Sequence, residues 1–193
     1  AVAFTFGQGA NSLISRYLGA KDTAMAHRTA STAIFSCMIV SVFFSVVTLI
    51  FLDPILRILG STETILPYAH DYAFIILLGS PFIGASFVLN NLLRSQGLNA
   101  KAMIGLTFGG VLNIILDPIF ILALDMGIAG AALATIISQF VSFLIILWMV
   151  EKQSVLLLRP RLIARQVQLY LSIAAIGMPS FLRQALGSVA IMI

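Results

Sequence analysis

Four stretches of the chain run without charge, or nearly so, for longer than a bilayer requires. Residues 29–52, 72–93 and 128–150 contain no Asp, Glu, Lys or Arg, and 102–124 contains only Asp117. Each exceeds the roughly 20 apolar residues that carry a helix across a hydrocarbon core of about 30 Å. Charged loops separate them at 16–28, 53–71, 94–101 and 151–165, with a tight turn at Asp125-Met126-Gly127. Two terminal stretches, 1–15 and 166–193, read as helices cut at the ends of an excerpt from a longer protein, and the first lacks the basic n-region of a signal peptide. Pro81, Gly84, Pro118 and Pro179 interrupt the pattern without abolishing it, because neighbouring helices re-satisfy freed backbone groups. The pattern predicts an all-α, polytopic transmembrane bundle with four complete spans and two partial ones.

Composition agrees with the pattern. Hydrophobic residues make up 60% of the chain and charged ones 9%, against roughly 45–50% and 25% in soluble domains. Mean hydropathy is +1.08. Such a chain cannot cover its surface with charge in water. A net charge of +4 would suggest nucleic acid in a soluble protein, but basic residues beside spans mark cytoplasmic loops.

Their placement sets the orientation. Arg16, Lys21, Arg28, Arg94, Lys101, Lys152, Arg159, Arg161 and Arg165 all fall in loops 16–28, 94–101 and 151–165. The two alternate loops hold one basic residue, Arg57, beside Asp53, Glu63, Asp71 and Asp125. The three basic loops are therefore expected in the cytoplasm, in a multi-pass protein of the cell (inner) membrane. Tyr17, Tyr68, Tyr72, Trp148 and Tyr170 lie near span ends, where amphipathic rings prefer the interface. The lone cysteine, Cys37, is read as a small packing residue. No catalytic triad, zinc motif or phosphate loop occurs, and Gly7-Gln8-Gly9 follows no strand, so the pattern argues against an enzyme.

Asp117 is the residue with most to say about chemistry. A carboxylate inside a span costs about 2.5–3.5 kcal/mol on insertion scales. Asn113 lies four residues earlier, so the two side chains share one helix face. Gly109 and Gly110 continue that stripe, which is expected to face the bundle interior. Pro118 cannot donate to the carbonyl of Ile114 and tends to kink the helix. A carboxylate, an amide oxygen and a freed carbonyl suit a proton or Na⁺; the competing reading is helix glue. In the next span, Ala131, Thr135, Ser138, Gln139 and Ser142 form a second polar stripe after a small-residue surface at 127–134. Thr135 and Gln139 are candidates for lining a cavity, although a threonine hydroxyl often bonds its own helix. Gln8, Asn11 and Gln184 are further pore-lining candidates, and Arg183 sits within the last helix. His27 and His70 are read as interfacial residues.

Four segments carry a resemblance. They are Leu92-Leu-Arg-Ser-Gln-Gly97, Leu112-Asn-Ile-Ile-Leu-Asp-Pro-Ile-Phe-Ile121, Gly127-Ile-Ala-Gly-Ala-Ala-Leu-Ala-Thr-Ile-Ile-Ser-Gln139 and Gly177-Met-Pro-Ser180. Through them the chain resembles the bacterial branch of the multidrug and toxic compound extrusion (MATE) transporters. The resemblance implies a twelve-helix, two-lobe fold, of which this chain covers the end of helix 2 through helix 7. Residues 1–150 would then be part of the amino-terminal lobe, 151–165 the cytoplasmic inter-lobe linker, and 166–193 the start of the second lobe. It also implies that Asn113, Asp117 and Thr135 belong to a cation-binding Asp–Asn–Thr network, a further Asp being on helix 1. The expected function is H⁺- or Na⁺-coupled efflux of small organic, often cationic, compounds. A lipid-linked precursor flippase is the alternative, weakened by the lack of basic residues within the four complete spans. The expected partners are the lipid bilayer, the organic substrates and the coupling ion, with no other cofactor, no nucleic acid and no obligate protein.

Overall fold

The computed structural model describes residues 2–164 and 166–192, and among these every regular element is a helix. In chain order they are α1 (Val2–Gly19), α2 (Thr23–Ile50), α3 (Leu52–Ile58), α4 (Leu66–Ser95), α5 (Asn99–Pro118), α6 (Gly127–Gln153) and α7 (Val167–Met192). A π-helical turn, Ile119–Ala123, continues α5, and a 3₁₀ turn, Pro160–Leu162, precedes α7. Four described helices are long and apolar enough to cross a membrane: Thr23–Ile50, Leu66–Ser95, Asn99–Ala123 and Gly127–Gln153. They contain the stretches 72–93 and 128–150 whole, and all but the last two residues of 29–52 and the last of 102–124.

Each of these helices extends into a polar flank at one end or both, where its first or last turn is stabilised. Asp22 caps α2 by accepting the Met25 amide at 3.0 Å, satisfying one of the orphan donors of the first turn. The 28 residues of α2 make a rod about 42 Å long, longer than the hydrocarbon core. Pro67 lies in the first turn of α4, where its missing N–H costs nothing. The charge pattern marks 53–71 as loop, whereas α3 forms there, burying Leu52 and Leu56 one turn apart. Its neighbour Arg57 pairs with Glu63, and that carboxylate raises the guanidinium pKa further, chiefly through the hydrogen bond.

Helix α4 is the hub, packing against α1, α2 and α6, while α5 leans chiefly on α6 and α7 lies along α1. The core gathers Ile14, Ala33, Cys37, Leu89, Leu92 and Ile146. Helix α7 meets α1 through reciprocal backbone contacts. A Cβ on Gly9 would collide with the Ile173 carbonyl, and a Cβ on Gly177 with the Thr5 carbonyl. Pairing 9 with 173 and 5 with 177 makes the two helices antiparallel, in contact at the distance that only hydrogen side chains permit.

The segment between α6 and α7 is tied to the bundle rather than loose. Ser31 donates to the Leu157 carbonyl at 3.1 Å and accepts the Arg159 amide at 3.3 Å. Thr32 accepts the Ala164 amide at 2.9 Å, and His27 Nδ1 accepts the Leu157 amide at 3.2 Å. His27 is thus an anchor for this segment, a role that its sequence position did not reveal. Arg165 lies outside the described residues.

Candidate functional site

The Asn113–Asp117 pair forms as the helical spacing requires: Asn113 Nδ2 donates to Asp117 Oδ1 at 3.2 Å. Both side chains are half-buried. Directly after them Pro118 ends the regular α-helix, and the ladder shifts to a wider register in which the Leu124 amide reaches the Ile119 carbonyl at 3.0 Å. Such π turns re-aim the backbone and recur at functional sites. The chain reverses at Asp125 (φ 52°) and Gly127 (φ 54°), bringing α6 back along α5.

Side-chain contacts fix the register of that antiparallel pair. Gly105 lies against Ile146, Gly109 against Ser142, and Gly130 against the Phe120 carbonyl. Ser142 donates to the Gly105 carbonyl at 2.8 Å, a buried bond between the helices. Interpolating this register sets residues 133–138 of α6, Thr135 among them, beside the 113–117 turn of α5. Thr135 Oγ1 donates to the Ala131 carbonyl at 2.9 Å. That bond uses its hydrogen and leaves the oxygen with acceptor capacity.

Among the described residues the stripe Gly109, Gly110, Asn113 and Asp117 divides between two faces of α5. Gly109 packs on Ser142, but a Cβ on Gly110 would meet no atom within 4 Å. Successive helical positions turn by about 100°, and steps of four drift by about 40°. Gly110 therefore points away, and Asn113 and Asp117 lie at the margin of the α5–α6 seam.

The other candidates fall elsewhere. Gln139 is half-buried on α6, Gln8 and Asn11 are half-buried on α1, and Gln184 and Arg183 are exposed on α7. Among the described residues α1 and α7 make no packing contact with α5, so Gln8, Asn11 and Gln184 stand apart from Asn113 and Asp117. Asn90 and Asn91 are adjacent amides within the uncharged stretch of α4, outside both polar stripes. Asn90 Nδ2 donates to the Ala102 carbonyl at 2.6 Å, locking α4 to the first turn of α5. Asn91 Nδ2 bonds the Phe87 carbonyl at 2.9 Å, while its buried Oδ1 has no partner among the described residues. Two amides inside an apolar run were the available signal.

A cavity of about 560 Å³ opens among α1, α2, α4 and α7. Phe4, Phe44, Phe87 and Phe181 line it together with the Ser45 and Ser80 hydroxyls, which hydrogen-bond each other across α2 and α4. Its lining carries no charged side chain.

The family model described as MatE matches residues 1–119. The chain belongs to the MatE family. That is a family of membrane transporters, not of enzymes. Among curated relatives, the multidrug export protein MepA of Staphylococcus haemolyticus (strain JCSC1435) is 36% identical over 178 residues, covering 92% of this chain and 39% of the relative. A crystal structure of a MATE protein in the bent conformation superposes with a TM-score of 0.92 at 32% identity, covering 98% of this chain and 43% of that one. The outward-facing conformation of a multidrug resistance MATE transporter gives 0.91 at 32% identity, over 98% and 43%. The chain thus spans about two fifths of the length of these MATE relatives.

Proposed function

We propose that this chain is part of a cation-coupled antiporter that exports small organic, often cationic, compounds by alternating access. The observation that carries the proposal is the Asn113–Asp117 hydrogen bond inside a membrane span of a MATE chain. A half-buried carboxylate with one oxygen held by a neutral amide keeps its remaining lone pairs for a proton or Na⁺, and the Thr135 oxygen lies on the facing turn. In this reading residues 1–150 form part of one lobe, 151–165 the cytoplasmic linker and 166–193 the start of the other lobe. Loops 16–28 and 94–101 share the linker's cytoplasmic side of the inner membrane. Ion occupancy biases the two-lobe equilibrium only as far as its affinity differs between the two states. The relative named as a multidrug export protein and the uncharged, phenylalanine-lined cavity support a broad organic substrate class.

The test uses the full-length protein in vesicles under an imposed H⁺ or Na⁺ gradient. Asp117→Asn keeps the shape but removes the ionisable group, and gradient-driven dye efflux should fall by about tenfold or more, the scale of a typical coupling energy. Asn113→Ala should lose less, because it removes a neutral partner. Unchanged efflux by a well-folded Asp117→Asn protein would reduce Asp117 to helix glue. Rescue of a lipid-linked precursor flippase mutant, with dye accumulation unchanged, would favour the flippase reading.

A further inference from the structure

We infer that the basic end of the bundle carries a pocket for the phosphate headgroup of an anionic membrane lipid, formed where the segment after α6 passes α2 and turns into α7. The cavity there has a volume of about 370 Å³, within the roughly 300–1,000 Å³ range of ligand clefts. Its polar wall is made by Arg28 of α2, Arg161 of the 3₁₀ turn and Gln166 at the entry to α7, and its apolar wall includes Met25, Leu162 and Leu169.

Among the described residues no carboxylate lines the cavity or pairs with either arginine. Asp22, the acid closest in sequence to Arg28, caps α2 through the Met25 amide. The ion pairs among the described residues involve Arg57 with Glu63 and His70 with Asp53 and Asp71, all in the α3 region and the start of α4. Two unneutralised guanidinium groups sharing one cavity repel each other, and a phosphate diester offsets that repulsion while accepting several N–H donors at once.

Position favours a fixed site over a mobile cationic tail. The tethers from Ser31 to Arg159 and from Thr32 to Ala164 bracket Arg161 on both sides. They hold its backbone against the helix that carries Arg28. The backbone is then ordered before the ligand arrives, and only the two exposed arginine side chains remain to be ordered by it. The mixed wall selects the source of the phosphate. A soluble anion gains nothing from Met25, Leu162 and Leu169, whereas a lipid sets its glycerol and first methylenes against them. Basic pockets between spans at the membrane face are where anionic headgroups are held.

The experiment is native mass spectrometry of the full-length protein in detergent, offered equal phosphatidylglycerol and phosphatidylcholine. Wild type should retain phosphatidylglycerol preferentially, and the Arg28→Gln/Arg161→Gln pair should lose that retention by about thirtyfold, the scale of two membrane-proximal charges. Arg28→Lys/Arg161→Lys should recover most of it, and Arg94→Gln/Lys101→Gln, outside the cavity, should leave it intact. Equal loss in the Arg94/Lys101 pair would assign the effect to diffuse surface charge and overturn the pocket, as would equal retention of both lipids by wild type. Displacement by about 10 mM inorganic phosphate would make it a free-anion site instead. A photoactivatable phosphatidylglycerol provides a readout on unmutated protein. Labelling should fall on the peptides bearing Leu162 or Leu169, and labelling confined to other peptides refutes the assignment.

Discussion

Replacing Gly9 with alanine places a methyl group onto the carbonyl oxygen of Ile173, and replacing Gly177 places one onto the carbonyl of Thr5. Both obstacles are backbone, so no rotamer change relieves them; α1 and α7 must separate or shift. Overpacking of this kind costs about 1–3 kcal/mol, and separation also weakens the Cα–H···O contacts that close approach allows, at about 0.5–1 kcal/mol each. Each single substitution should therefore destabilise the full-length protein by about 2 kcal/mol. The two losses should not add. Once one methyl has parted the helices the second finds room already made, and the double variant should fall short of the sum by about 1 kcal/mol. Gly19→Ala supplies the control, since a Cβ there meets nothing within 4 Å and the change should stay within about 0.5 kcal/mol. The assay is reversible unfolding in mixed micelles, read as a double-mutant cycle. Single losses no larger than that of Gly19→Ala, or losses that add within about 0.5 kcal/mol, would refute the backbone-contact argument.

Two further outcomes follow from particular bonds and exposures. Ser142→Ala breaks a buried bond to the Gly105 carbonyl and should cost about 0.6–2 kcal/mol, whereas Ser138→Ala removes a buried hydroxyl that has no partner among the described residues and should be neutral or stabilising by the same unfolding assay. Ala24 and Thr62 are both exposed; after replacement of Cys37, an impermeant thiol reagent applied to intact cells should label Thr62→Cys and spare Ala24→Cys. The reverse pattern would invert the proposed orientation.

Much of the fold was legible in the chain because a bilayer judges each segment separately. A stretch such as 128–150 that buries no charge and satisfies its own backbone is a span whatever its neighbours are, and α6 accordingly contains all of it. The Asn113–Asp117 bond was legible for the same local reason, since positions i and i+4 of one helix meet before any tertiary contact forms. Helix α3 escaped notice because it is only 7 residues long and takes its stability from two leucines buried against other elements. Contacts between helices had no such local signature. Gly9 and Gly177 are ordinary glycines in sequence, and their meaning lies in the carbonyls across the α1–α7 seam. The direction of Gly110, the anchoring of the α6–α7 segment by His27, Ser31 and Thr32, and the pairing of Arg28 with Arg161 in one cavity were likewise decided by tertiary structure. Hydropathy sets which residues enter the membrane, but rotation about each helix axis is set by packing against partners distant in sequence.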